Sequence, residues 1–538
     1  MLSHFRKRLS GMILASLLGC TSALAQSLVV CTEASPEGFD ITQYTAATTA
    51  DASAETVFER LVQFAPGSTR VVPALAESWE ISDDGLQYTF ALRQGVKFHS
   101  TDYFTPTREF NADDVLWSFQ RQLDPKHPWN KLAPRGFPYA EAMGLPSLIS
   151  AVEKLDEHHV RFTLTHPEAP FLADLAMGFA SIYSAEYGDL LLAADKAEQL
   201  NNLPIGTGPF VFQRYQKDAQ VRFTANPDYW GGKPKIDRLL LAITPDPNVR
   251  IQKVKAGDCQ IAVYPKPTDV PALRQDPKLK VEELDSLLVA YVGINTRHKP
   301  LDDVRVRQAI NLAFDRNAYL RAQFGEGAAT LAVAPYPPTL WGSDPQLKVW
   351  PHDPARARQL LEEAGIKPGL KLSIWTRPGG GPTNPNPGIG AQMLQDDLGR
   401  IGIQADIRVF EWGELIKRAK QGEHDLIFMG WAGDNGDPDN FLTPNLSCAA
   451  AKSGENQAGW CNAEFDELLR KARAITDQEA RAGLYRQALA IYQHEAPWIA
   501  LAYPKQFAVV RPGVTGFTLS PLGSNNFSRV QLQGSPGP

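Results

Sequence analysis

Two apolar, extended segments far apart in the chain constrain this sequence most: VEELDSLLVAYVGINT (281–296) and WIALAYPKQFAVV (498–510). Each is followed by a fresh helical or turn pattern, as expected where a chain passes from one lobe to another. If both are crossings, residues 287–504 form one lobe, and residues 26–286 with 505–538 form the other. The length agrees, because 538 residues exceed what one hydrophobic core usually supports. The N-terminal lobe is then long enough for an inserted subdomain, at roughly 60–190.

Both lobes read as mixed α/β. Tyr88, Phe90 and Leu92 follow an Asp84-Gly85 turn with the period of a half-buried strand, and Val160, Phe162 and Leu164 repeat it. Asp353-Pro354 predicts a helix start, with Ala357, Leu360, Leu361 and Ala364 on one face and Gly365 at the end. Val306, Ile310, Ala313 and Phe314 line another helix. Thr476 with Glu479 predicts a capping box ahead of Leu484, Tyr485, Ala488 and Leu489.

Residues 1–25 read as an export signal: Arg6, Lys7 and Arg8, then the apolar run Met12 to Leu18, then the cleavage pattern Ala23-Leu24-Ala25. Leu17-Leu18-Gly19-Cys20 also fits the pattern before a lipidated cysteine, so lipid anchoring at Cys20 is the alternative to a free periplasmic protein. Without the signal, 51 basic residues stand against 60 acidic ones, a net of −9, which gives no electrostatic reason to bind nucleic acid or an anionic membrane face. Cys31, Cys259, Cys448 and Cys461 remain, an even number that in an exported chain predicts disulfides, with three connectivities open. Zinc is disfavoured, since no Cys-x-x-Cys occurs and no histidine stands at ligand spacing. The tail Gly534–Pro538 reads as a disordered end.

Catalytic patterns are sparse. There is no Gly-x-Ser-x-Gly elbow, no His-Glu-x-x-His and no phosphate-cradling Gly-x-x-x-x-Gly-Lys-Ser/Thr. His158-His159 lies beside a strand and reads as solvent-exposed. Asp113-Asp114 and Asp302-Asp303 stand at helix starts, where the macrodipole accounts for them. An enzyme is therefore not the expected class, and an exported hydrolase stays only as a remote alternative. One stretch asks for more: MGWAGDNGDPD (429–439) packs an indole, three glycines and three carboxylates into eleven residues. It reads as a solvated turn, as a set of oxygen ligands lacking EF-hand spacing, or as a binding loop in which a carboxylate meets a ligand cation.

At this loop the chain resembles the extracytoplasmic solute-binding proteins of peptide ABC importers, most closely their dipeptide-binding branch. The resemblance spans 26–533 and rests on CTEASPEGFD (31–40), LAESWEISDDGLQYTFALRQGVKFH (75–99), FNADDVLWSF (110–119), HPEAPFLADLAM (166–177), PIGTGPF (204–210), KPLDDVRVRQA (299–309), GEHDLIFMGWAGDNGDPDNF (422–441) and the cysteines at 448 and 461. It implies an α/β, two-lobed periplasmic binding protein (type II, cluster C-like) with an extra subdomain on the N-terminal lobe. It also implies a monomer that hands short peptides to an inner-membrane ABC permease; no cofactor is expected, and six methionines with no histidine cluster give no expectation of a metal. The implied disulfides are Cys31–Cys259 and Cys448–Cys461. By the same resemblance Asp434 binds the peptide ammonium, Trp431 lines the cleft, and the peptide backbone runs along an extended segment at Thr45–Thr48 that includes Ala47.

The chain departs from the family at the other end of the ligand. An Arg is expected before Pro-x-Asn-Pro-Asn to bind the peptide carboxylate, and Gly381 stands there instead. Arg377, four residues earlier, is the candidate replacement. The departure keeps a longer or modified peptide, a peptide-like antibiotic, haem or a metal chelate as alternative solutes.

Overall fold

The longest strand, Trp498–Val510, is buried along nearly its whole length, as its unbroken apolar sequence requires. Its first half pairs antiparallel with Leu288–Ile294, and its second half with Lys280–Asp285 and Ile261–Val263. The two extended segments singled out in the sequence therefore lie side by side. The structure is a computed structural model and describes residues 26–533; the export segment, Cys20 and the Gly534–Pro538 tail lie outside the described residues.

Around this strand runs a sheet of 12 strands. Its order is 403–409, 370–376, 426–432, 288–294, 498–510, 261–263, 27–32, 238–243, 220–225 and 210–216, with 280–285 and 329–331 also attached to 498–510. Pairing is parallel where Ser27–Thr32 meets its two neighbours and where Leu370–Thr376 meets its own; the other pairs are antiparallel. The apolar cores divide along the sheet. One large cluster draws on Leu28 to Val263 and on Ala508 to Val530, while two others draw on residues between Val270 and Phe507. A single sheet thus carries separate cores at its two ends, and the fold is two-lobed and mixed α/β.

A second, four-stranded antiparallel sheet (76–81, 87–92, 159–164, 149–156) belongs to the first cluster. Tyr88, Phe90 and Leu92 face its core, as do Val160, Phe162 and Leu164, and Gly85 takes the left-handed turn position at φ 69°. Asp353 caps the helix Pro354–Glu363 through the Arg356 amide. The capping box expected at Thr476 does not form. The helix Gln478–Glu495 begins one residue later, because the Asp477 carboxylate accepts from the Ala480 amide. His159 is exposed and bonds Asp156, whereas His158 is half-buried. Disulfides join Cys31 to Cys259 and Cys448 to Cys461.

One buried network positions the chain that leads to the cavity described below. Asp40 accepts from Arg121 Nη2 (2.5 Å), Gln43 Nε2 (2.7 Å), Thr42 Oγ1 (2.8 Å) and Tyr183 Oη (2.9 Å). Burial works to raise its pKa, but the Arg121 charge and these donors outweigh it, so the carboxyl stays below its ordinary value. Arg121 is in turn boxed by the rings of Tyr183 (5.0 Å) and Trp117 (5.3 Å). Arg121→Met should leave Asp40 buried without its counter-charge and cost about 3–5 kcal/mol in urea denaturation. A loss under about 0.5 kcal/mol, the range of ordinary surface changes, would mean the neutral donors suffice.

Candidate functional site

A cavity of about 580 Å³ opens where the two halves of the sheet meet. Thr45, Ala47 and Tyr139 form one side, Ala432, Gly433 and Asp434 the other, and Leu288, Pro504 and Phe507 of the crossing strands form part of its lining. A second cavity, about 410 Å³, lies between Lys97–Glu109 and Asn226–Asp228, away from the crossings. Its basic side chains are already engaged, Arg108 with Asp114 and Lys97 with Asp228. The first cavity is the better site on chemistry.

The loop 433–438 leaves strand Leu426–Ala432 and enters helix Asp439–Leu446. The two carboxylates of the loop and Asp439 at the helix start have three different surroundings. Asp437 takes a bidentate pair from Arg481 (2.8 and 2.9 Å) and accepts the Asp439 amide. Asp439 accepts from Thr443 Oγ1 (2.7 Å), with Arg473 at 3.9 Å. Asp434 has no lysine or arginine partner among the described residues. Its amide donates to Asn440 Oδ1, Asn440 Nδ2 reaches Oδ2 at 3.4 Å, and Tyr139 Oη donates to Oδ1 at 3.2 Å from the opposite lobe. Burial pushes its pKa up to about 6 against those hydrogen bonds.

The lobes also meet beside this loop. Asn435 Nδ2 donates to Asp174 (2.6 Å), and the Ala169 amide donates to the Arg473 carbonyl (2.8 Å). Gly436, at φ 73°, packs where any side chain would strike Thr69 of the other lobe. These contacts bring Glu168 and Asp174 towards Asp437 and Asp439. Burial, and then repulsion from Asp439, push Glu168 up to about 8; burial likewise raises Asp174 far above its ordinary value and Asp439 to about 6.

Thr45, Ala47, Asp434 and Gly381 all line the cavity. The extended backbone expected over Thr45–Thr48 ends at Ala46, because Ala47–Ala52 forms a short helix and Thr48 is buried in it. Trp431 is not in the wall. Strand alternation turns it away from Ala432, and it packs on the core that includes Val289 and Phe441. Arg377 is half-buried with its guanidinium 4.9 Å above the Trp412 ring and directly against Gly381. Tyr139, Tyr264 and Phe324 line the cavity without having been expected. Tyr139 lies in PYAEA, a short segment without a legible period, and only the fold brings it to Asp434.

The family model for bacterial extracellular solute-binding proteins, family 5 Middle, matches residues 70–453. Di/tripeptide-binding protein 4 of Pseudomonas aeruginosa is 63% identical over 518 residues, covering 96% of this chain and 97% of that protein. Heme-binding protein A of Haemophilus influenzae is 45% identical over 513 residues, 95% and 93% of the two chains. The crystal structure of a dipeptide-binding protein from Pseudoalteromonas in complex with Met-Leu superposes with a TM-score of 0.80 at 37% identity, covering 94% of this chain and all of that one. The chain belongs to the family 5 bacterial extracellular solute-binding proteins.

Proposed function

We propose that this chain is the periplasmic binding component of an ABC importer, and that it captures short peptides between its lobes for delivery to a membrane permease. The observation that carries this reading is Asp434: a largely desolvated carboxylate on the cavity wall, hydrogen-bonded across the cleft by Tyr139, with no protein cation beside it. A peptide α-ammonium supplies the missing charge. Thr45 and Ala47 offer the facing surface for peptide backbone, and relatives that bind di- and tripeptides support the same solute class. Bending near residues 286 and 505 would open the cleft, and a ligand favours closure only through contacts with both lobes.

Haem is the second class to test, because a haem-binding relative is 45% identical and the cavity carries an apolar wall with Phe324, Phe507 and Leu288. A thermal-shift screen of di- to pentapeptides, with haem included, separates the two. Short peptides are expected to raise the melting temperature; a shift with haem and none with any peptide overturns the reading.

Asp434→Asn should weaken peptide binding by about 2–5 kcal/mol in calorimetry, the range for removing one partner of a buried charged pair. The pH dependence follows from the raised pKa. In the empty site Asp434 titrates near 6, so below that value a proton must leave before an ammonium can bind. Affinity should be highest near pH 7, fall up to about tenfold per unit below pH 6 as Asp434 takes a proton, and fall again above about pH 8 as the peptide ammonium loses its own. Stability runs the other way at the lobe contact. Glu168 holds its proton up to about 8, so its contribution is full below the unfolded carboxyl value and is lost as pH rises towards 8. Glu168→Gln should raise the melting temperature relative to the parent at pH 8 and not at pH 4; equal shifts at both would rule out this linkage.

A further inference from the structure

Strand Ser27–Thr32 runs parallel to both of its neighbours, so three strands end on the same side of the sheet. Thr32 leads to Glu33, Ile243 to Thr244 and Val263 to Tyr264. The crevice beyond the carboxyl ends of parallel strands is where such a sheet presents groups to a ligand, and Glu33 and Tyr264 both line the cavity. Arg250 ties the two outer ends together at 2.8 to 3.0 Å, donating to the carbonyls of Thr244 and Pro245 on one and of Val263 and Tyr264 on the other.

Glu33 stands at the middle end and is half-buried. Thr32 Oγ1 donates to its carboxylate at 2.9 Å, and no lysine or arginine pairs with it among the described residues. The groups around it are engaged elsewhere. Arg250 is close enough for its charge to be felt but is committed to the four carbonyls. Lys505, the other cation in the cavity wall, stands between Glu283 (3.4 Å) and Asp285 (3.8 Å). The Tyr264 hydroxyl donates to the Gly523 carbonyl (2.6 Å). Asp51, which also feels the Glu33 charge, is taken up by the Asn525 amide (2.5 Å) and side chain (3.0 Å). Burial pushes the Glu33 carboxyl above its ordinary value, opposed by its own amide, the Thr32 hydroxyl and the Arg250 charge.

The cavity therefore carries a second carboxylate without a basic partner, on the lobe opposite Asp434. A short peptide has one α-ammonium, and any further cation on it is a lysine or arginine side chain. The stem of such a side chain needs apolar wall, which Tyr264, Pro265 and Phe507 supply. We propose that Glu33 makes this cavity select peptides carrying a basic side chain, whose ammonium or guanidinium pairs with the Glu33 carboxylate. The proposal rests on the peptide reading above and names the side-chain class within it.

The test is calorimetry on the mature protein with trialanine and with tripeptides in which lysine replaces alanine at each position in turn. Each lysine peptide is compared with its norleucine counterpart, which keeps the stem and lacks the ammonium. At one position at least, lysine should bind about tenfold more tightly than norleucine, the scale of one charge-assisted contact. Glu33→Gln should abolish that preference by weakening the lysine peptide, with the norleucine peptides and trialanine bound as by the parent. Glu33→Asp, which keeps the charge on a shorter stem, should retain part of the preference. If no position favours lysine, if E33Q keeps the parent's lysine-to-norleucine ratio, or if E33Q weakens every peptide alike, the proposal is overturned while the peptide reading stands. If the parent binds none of these peptides, both fall together.

Discussion

The strand Trp498–Val510 is the constraint on which the rest of the molecule depends. It is hydrogen-bonded to Leu288–Ile294 over one half and to Lys280–Asp285 over the other, so both lobes share a single run of backbone. The two halves are joined through a continuous strand ladder rather than by a loose tether. The Ser286 hydroxyl bonds the Pro504 carbonyl at the point where the pairing passes from one half to the other. A cavity built against this seam inherits walls from both cores, and that is where Asp434, Thr45 and Phe507 converge.

The acidic loop shows how one composition can carry unlike roles. Asp437 is neutralised by Arg481 and works as a structural anchor. Asp439 sits at the helix start, held by Thr443. Only Asp434 is left to face the cavity with a hydroxyl and an amide for company. Burying a carboxylate under those conditions is costly. The loop thus presents one carboxylate without a basic partner to a cavity whose lining cations, Arg250 and Lys505, are engaged elsewhere.

Much of the fold is legible because it rests on local signals: two-residue alternation at Tyr88–Leu92, a capping aspartate at 353, and the apolar runs that become the paired strands Leu288–Ile294 and Trp498–Val510. The helix starts one residue beyond the expected capping box: Thr476 and Asp477 are both competent caps, and the aspartate is intrinsically the better one. Trp431 is expected in the cleft on resemblance; it does not line the cavity, and the parity of its strand leaves it half-buried against the side of a core. Tyr139 could not have been found. Its contact with Asp434 spans 295 residues of chain and depends on how a subdomain is docked, which no local period encodes. Arg377 was a candidate only because Gly381 broke a pattern, and its packing on that glycine became visible only in three dimensions.

The two disulfides have a consequence for how the fold is held together. Cys31–Cys259 lies wholly within the core that Val509 helps to close, and Cys448–Cys461 ties a short bend thirteen residues long in the other lobe. Neither bond straddles the seam. Each bond ties down its own half, and neither links one half to the other.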